Sequence, residues 1–204
     1  TITQPASALT VATSHTDVSC YGGSNGTVTI NISGGTPAYT YQGNPIPVNP
    51  LTIPNLVANT YSGTVTDANG CTATVSETVS QPGVQSLTVS STPNTCNGGN
   101  TGTASANFVN ATGSVTYNWS NGSSGTPITG LVANTYNVTA TDANTCTATG
   151  SVAVTEPAAP VMTVNVVDAT CFGGNGTATA SPSGGTTPYS FVWNTGATTE
   201  DLTD

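Results

Sequence analysis

The residues with the most chemistry to offer are five cysteines, a recurring Asp-x-Asn turn and a set of strand aromatics. Cys20-Tyr21-Gly22-Gly23, Cys96-Asn97-Gly98-Gly99 and Cys171-Phe172-Gly173-Gly174 share one pattern. Asp67-Ala68-Asn69-Gly70-Cys71 returns as Asp142-Ala143-Asn144-Thr145-Cys146. Both series step by about 75 residues, the signature of an array of small domains. In that register each complete repeat holds two cysteines, which predicts one bridge per domain: Cys20 with Cys71, and Cys96 with Cys146. The partner of Cys171 falls beyond the chain end. If successive strands alternate in direction, the second and sixth begin at the same pole, so both sulfurs of a repeat meet there. A seventh strand between them would send them to opposite poles. Each such bridge closes a loop of about 50 residues and stabilises its domain by on the order of 4 kcal/mol. Metal ligation fits less well, because there is no Cys-x-x-Cys pair and His15 has no counterpart in the other repeats. Disulfides imply an oxidising place, outside the cell or at its surface, or a periplasm on the way there.

The Asp-Ala-Asn-x-Cys segment offers a second chemistry. Asp67 with Asn69, and Asp142 with Asn144, could present oxygen ligands to Ca²⁺. The alternative is a turn in which Asp and Asn bond their own backbone, and two oxygen side chains fall short of a cage. Calcium between repeats through Glu77 or Glu156 has no motif behind it, and no other cofactor or metal is expected. Tyr39, Tyr41, Tyr117, Trp119, Tyr189, Phe191 and Trp193 fall on matching strands. Tyr41, Trp119 and Trp193 are the candidates for stacking on a glycan, set against ordinary core packing, since successive strand residues face opposite ways. The acids are scattered or repeat-equivalent apart from a cluster at Glu200, Asp201 and Asp204, read as an exposed strand edge or loop, and the single His has no credible Ser/Asp partners. The reading is therefore a protein that is not an enzyme.

Composition narrows the partners. Lys and Arg are absent, against nine acidic residues. Without cations the chain cannot neutralise phosphates, so nucleic acid is not expected as a partner, and the same absence argues against docking on anionic membranes. No apolar run is long enough to span a bilayer, so direct membrane insertion is not expected.

The elements that must position these residues read as short strands and turns. In the second repeat, strands are predicted over 86–90, 101–109, 115–119, 126–131, 136–141 and 146–155, separated by Gly/Asn-rich turns. Six short strands per repeat predict an all-β chain of tandem immunoglobulin-like antiparallel β-sandwiches. The boundaries read as the end of a preceding repeat at 1–5, repeat 1 at 6–82, repeat 2 at 83–157 and an incomplete repeat 3 at 158–204. Gln4-Pro5, Gln81-Pro82 and Glu156-Pro157 are the joints, and proline restricts both its own φ and the residue before it. Both ends fall inside repeats, so a longer array is expected, and a chain starting within a repeat could not display a signal peptide.

The residue order Cys-x-Gly-Gly, Ser-Gly-Gly-Thr-x-Pro-Tyr, Gly-Ala-Thr-Thr, Leu-x-Ala-x-Thr-Tyr and Thr-Asp-Ala-Asn-Gly-Cys resembles the SprB repeat of Bacteroidota surface proteins. Ser183-Gly184-Gly185-Thr186-Thr187-Pro188-Tyr189 and Gly196-Ala197-Thr198-Thr199 carry its first half best, and Asn69-Gly70-Cys71 its second. Repeat 1 departs from it at Gln42-Gly43-Asn44-Pro45-Ile46-Pro47, and repeat 2 lacks the Ser-Gly-Gly-Thr turn. The resemblance implies a segment of a very large cell-surface adhesin, such as a gliding-motility adhesin, exported by type IX secretion. It supplies no catalytic residues. The expected partners are neighbouring repeats of the same chain, with surface polysaccharides or identical chains in a filament as alternatives.

Overall fold

The computed structural model describes residues 7–203, and among these there is no helix, hence none long and apolar enough to cross a membrane. The first repeat forms β1 (Thr10–Thr16), β2 (Gly26–Ser33), β3 (Thr40–Tyr41), β4 (Asn44–Pro45), β5 (Leu51–Leu56), β6 (Asn59–Thr66) and β7 (Thr72–Val79). These make two sheets, ordered β1-β2-β5 and β4-β3-β6-β7. The second repeat forms β8 (Ser86–Thr92), β9 (Gly102–Val109), β10 (Thr116–Trp119), β11 (Ile128–Leu131), β12 (Asn134–Thr141) and β13 (Thr147–Val154). Their sheets are ordered β11-β9-β8 and β10-β12-β13. The third supplies β14 (Val161–Val167), β15 (Thr177–Ser183) and β16 (Asp201–Thr203), in one antiparallel sheet. The fold is all-β, in tandem sandwich-like repeats of antiparallel sheets.

Alternation along the strands builds the cores. On β2 and β9 every second residue is buried, and thus Val28, Ile30 and Ile32 face inward on β2, and Ala104, Ala106 and Phe108 on β9. The first core joins them with Val18, Val65 and Val79. The second gathers Ala104, Ala106, Trp119, Ile128, Leu131, Tyr136, Val138 and Val154. Thr, Ser and Asn fill the outward positions, so solubility rests on hydroxyls and amides. Cross-strand hydroxyl pairs such as Thr29–Thr52 (3.1 Å) and Thr60–Thr78 (2.9 Å) line that outer surface.

The sheets meet closely where β2 begins. A Cβ on Gly26 would lie 2.6 Å from Val79 Cγ1, and one on Gly102 would lie 2.4 Å from Val154 Cγ1. The start of β2 thus sits against the end of β7, and the start of β9 against the end of β13. Val18 N–H donates to Ser80 O, and Asn94 N–H to Thr155 O, at the same ends (2.9 and 2.8 Å).

Contacts divide the chain into two compact units that cut across the repeat register. The first runs through Ser86 and adds Phe108–Val115 and Thr141–Ala148. The second holds Leu87–Asn107, Thr116–Ala140 and the residues from Thr149 onward. The tips of the second repeat belong to the first unit because Asn110 Nδ2 donates to Val84 O and Gln85 Nε2 to Asp142 Oδ2.

Candidate functional site: a disulfide joint at a carboxylate-locked turn

The structure corrects the predicted pairing of the cysteines. Cys20 is bonded to Cys146, with Cα atoms 5.6 Å apart, and the bridge lies within the first compact unit. Cys71, Cys96 and Cys171 are free and exposed. Neither Cys20–Cys71 nor Cys96–Cys146 forms. Strand direction gives the reason. In the first repeat β3 is antiparallel to both β4 and β6, and β6 to β7, so a short fourth strand restores alternation and seven strands are present. Cys20 precedes β2, beside the end of β7, whereas Cys71 precedes the start of β7. An eight-residue β7 separates them by roughly 25 Å at 3.3 Å per residue, and a disulfide tolerates at most about 7 Å between Cα atoms. In the second repeat the return crossing at 120–127 is no strand at all, only an isolated bridge between Asn118 and Ser124. The effect on Cys96 and Cys146 is the same.

The Asp-Ala-Asn-x-Cys segment is built as a carboxylate-locked turn. Asp67 Oδ1 accepts the N–H of Asn69 and of Cys71, both at 2.9 Å, and Oδ2 accepts the Thr36 N–H at 2.9 Å. Asp142 repeats this with Asn144, Cys146 and Thr112, each at 2.9 Å, and adds Gln85 Nε2 at 3.0 Å. Both carboxylates are buried. Asn69 Nδ2 donates to Thr36 Oγ1, and Asn144 Nδ2 to Ser19 O, 3.3 Å away. The Asp oxygens are thus occupied by N–H donors, which is the geometry of the turn reading. Among the described residues, no three His, Cys, Asp or Glu side chains gather to hold a metal.

Glu77 and Glu156, considered for inter-repeat calcium, hold other partners. Glu77 accepts from the Thr13 hydroxyl and pairs with His15 Nδ1 at 2.6 Å, while His15 Nε2 lies 3.4 Å from Asp17. Glu156 accepts the Gly98 N–H at 2.8 Å and Asn97 Nδ2 at 3.0 Å. Gln81 does the same at the first joint, accepting the Gly22 N–H at 2.8 Å. Gln81 and Glu156, each just before a joint proline, therefore clasp the Cys-x-Gly-Gly loop of their own repeats.

Hydrogen bonding sets the acidity of these carboxyls. The Thr36 N–H beside Asp67 holds it below the usual range, against burial and with help from Cys71 and Asn69. Burial pushes Asp142 up, but the donors of Thr112, Cys146, Asn144 and Gln85 together outweigh it and lower it. The Thr13 hydroxyl, and then His15, lower Glu77. Each group therefore binds its proton less tightly folded than unfolded. Their stabilisation is complete above the ordinary values of about 4 and is lost as pH falls through the lower folded values. Urea denaturation across a pH series should show a plateau above about pH 5 and falling stability below about pH 4. A chain more stable at pH 3 than at pH 6 would contradict this.

One turn position differs between the repeats. Gly70 has φ +83°, and its counterpart Thr145 has φ +66°. A β-branched residue in the left-handed region is strained, at a cost of about 1 kcal/mol. Thr145→Gly is expected to raise the stability of the oxidised chain by that amount, read from the urea midpoint. An unchanged or lowered midpoint would contradict the assignment of strain.

The three aromatics weighed for glycan contact lie in different settings. Trp119 is 4% exposed, lies in the second core and donates from Nε1 to Gly125 O at 2.9 Å. It is therefore core, not a stacking platform. Tyr41 packs on the first core, its ring filling the space over Gly63, where a Cβ would lie 2.5 Å away. Trp193 is half-buried and donates from Nε1 to Thr199 O at 2.8 Å.

The SprB repeat family matches the chain three times, over residues 12–46, 88–124 and 163–198, together more than half of its length. The chain belongs to the SprB repeat family. The family is a structural repeat found in cell-surface proteins. No curated protein matches the chain. Each match covers the Cys-x-Gly-Gly loop and the strands around it, and the Asp-Ala-Asn-x-Cys turns at 67–71 and 142–146 lie outside all three.

Proposed function

We propose that this chain is a non-catalytic, structural stretch of a large extracellular adhesin or surface filament, a spacer that carries an adhesive surface away from the cell for attachment or gliding. The observation that supports the reading best is the bridge from Cys20 to Cys146. A disulfide inside one repeat would stiffen that repeat alone, whereas this one fastens the first repeat of the sequence to the second across the Gln81-Pro82 joint. Domains of this size bury little core, and a covalent tie at the joint favours a string that keeps its reach under load. The bridge also favours secretion to an oxidising exterior, and the absence of Lys and Arg leaves a surface that repels polyanions. Repeats in series would add weak contacts into avidity.

Small-angle scattering on the oxidised chain tests the spacer role. An elongated particle that stays elongated across ionic strengths is expected, and a compact globule would count against the reading. Glycan-array binding that survives in the folded Trp193→Ala and Tyr41→Ala variants leaves the spacer reading intact. Binding lost in folded variants would favour a polysaccharide-binding module. Concentration-dependent sedimentation would instead point to a self-assembling fibre.

A further inference from the structure

We propose that the pole of the second repeat around Cys96, together with the open face of β14, is a docking surface for one occupant. That occupant is a β-hairpin of the β12–β13 type, carrying an Asp-Ala-Asn-x-Cys turn, whose cysteine bonds Cys96. Each Cys-x-Gly-Gly cysteine is thereby tied to the turn of the following repeat. The inference rests on the chain being a stretch of a repeat array.

Three independent observations carry it. First, Cys96 is held as the bonded Cys20 is held. Gly23 N–H donates to Cys20 O and Gly99 N–H to Cys96 O (3.0 and 3.1 Å). Gln81 and Glu156 clasp the neighbouring Gly22 and Gly98 amides. Cys96 nevertheless remains free and exposed.

Second, the loop that grips the cysteine turn in the first two repeats stands beside Cys96 in the third. Thr36 and Thr112 give their N–H to Asp67 and Asp142 and take back the N–H of Ala68 and Ala143. Thr186 is their counterpart, since Gly185 N–H donates to Ala158 O as Gly35 N–H does to Ser7 O. Thr186 Oγ1 donates to Thr95 O at 3.0 Å, one residue from Cys96. Ser19, one residue before Cys20, is the equivalent of Thr95, and its carbonyl receives Asn144 of the turn. Cys96, Asn97, Pro160, Gly185, Thr186 and Tyr189 line a cleft at this place.

Third, the sheet that such a hairpin would cover lies open. Val11 on β1 and Leu87 and Val89 on β8 are partly buried, but Met162, Val164 and Val166, which share one face of β14, are each at least half exposed. Gly26 and Gly102 face Val79 and Val154, the closing residues of β7 and β13. Around Gly176 the nearest atoms are backbone of Val167, Asp168 and Ala169. A hairpin ending in that valine would close the core and carry its turn to Cys96.

Bond formation joins two thiols as a disulfide and releases two protons. The two electrons pass to a disulfide oxidant, here oxidised glutathione, which leaves as two thiols. The test joins a copy of Leu131–Pro157 directly after Asp204 of the full chain, refolds it with oxidised and reduced glutathione, and maps disulfides without reduction. The expected map holds Cys20–Cys146 and Cys96 bonded to the grafted cysteine, with Cys71 and Cys171 as thiols. Cys96→Ser should leave the grafted cysteine free. A grafted cysteine bonded to Cys171, or left free while Cys20–Cys146 forms, would overturn the proposal. Absence of Cys20–Cys146 from the ungrafted chain would overturn it as well, because that bridge is its template. An elongated particle with the wrong pairing would sink this inference and leave the spacer reading standing.

Discussion

Cys20→Ser should cost the oxidised chain about 3–5 kcal/mol of stability. The bridge spans a sequence separation of 126 residues, and closing so long a loop removes a large share of the unfolded chain's freedom, about 5 kcal/mol by loop entropy alone. Loops this long often deliver less than the entropic figure, because the unfolded chain keeps residual structure. Guanidinium denaturation of the wild type and of Cys20→Ser, each with and without reductant, is the measurement. Reductant should bring the wild type down to the variant and leave the variant unchanged. A second comparison isolates the pairing: Cys71→Ser and Cys96→Ser should leave the oxidised stability unmoved. If Cys71→Ser behaved like Cys20→Ser, the pairing within one repeat would be restored and the joint would lose its covalent tie.

Asp142→Asn is expected to destabilise by about 2–3 kcal/mol, more than any other isosteric change at the turns. The carboxylate takes four N–H donors and is buried. Hydrogen bonds to a charged acceptor contribute about 1.5–3 kcal/mol each in mutational series, and buried donors left facing an amide carry their own penalty. The variant should also flatten the acid limb of the stability curve, since one group that resists protonation in the fold is gone. Because Asp142 sets the Cys146 N–H, slower closure of the Cys20–Cys146 bridge during glutathione refolding is expected alongside. A loss under 0.5 kcal/mol, on the scale of an ordinary surface change, would show that the turn holds without its carboxylate.

Much of this architecture can be read from residue patterns, and the misreading has a definite source. All six strands of the second repeat lie where apolar alternation and Gly/Asn turns put them, most within two residues at either end. The Asp-x-Asn segments could be read as self-bonding turns because that chemistry is local. What could not be read is the second oxygen of each Asp, which reaches Thr36 or Thr112 some thirty positions away, where no periodic signal extends. The cysteine pairing failed at a single point. Pairing within a repeat requires strict alternation through 120–127, yet that crossing reverses the chain with one isolated bridge, and in the first repeat it is a two-residue strand. An element so short leaves no hydrophobic rhythm, although it decides at which pole each sulfur emerges. Tyr117 and Trp119, two residues apart, share a face of their strand, and both pack on the second core, Trp119 buried and Tyr117 partly so.

The reach of the Cys20–Cys146 tie matters most when the chain is pulled. Tension entering near one end crosses the sulfur–sulfur bond and leaves by the other, so nearly everything from β2 to β12 sits on a slack loop outside the path of the force. That loop stores about 430 Å of contour at 3.4 Å per residue. An oxidised chain withholds this length under tension, and a reduced one can release it.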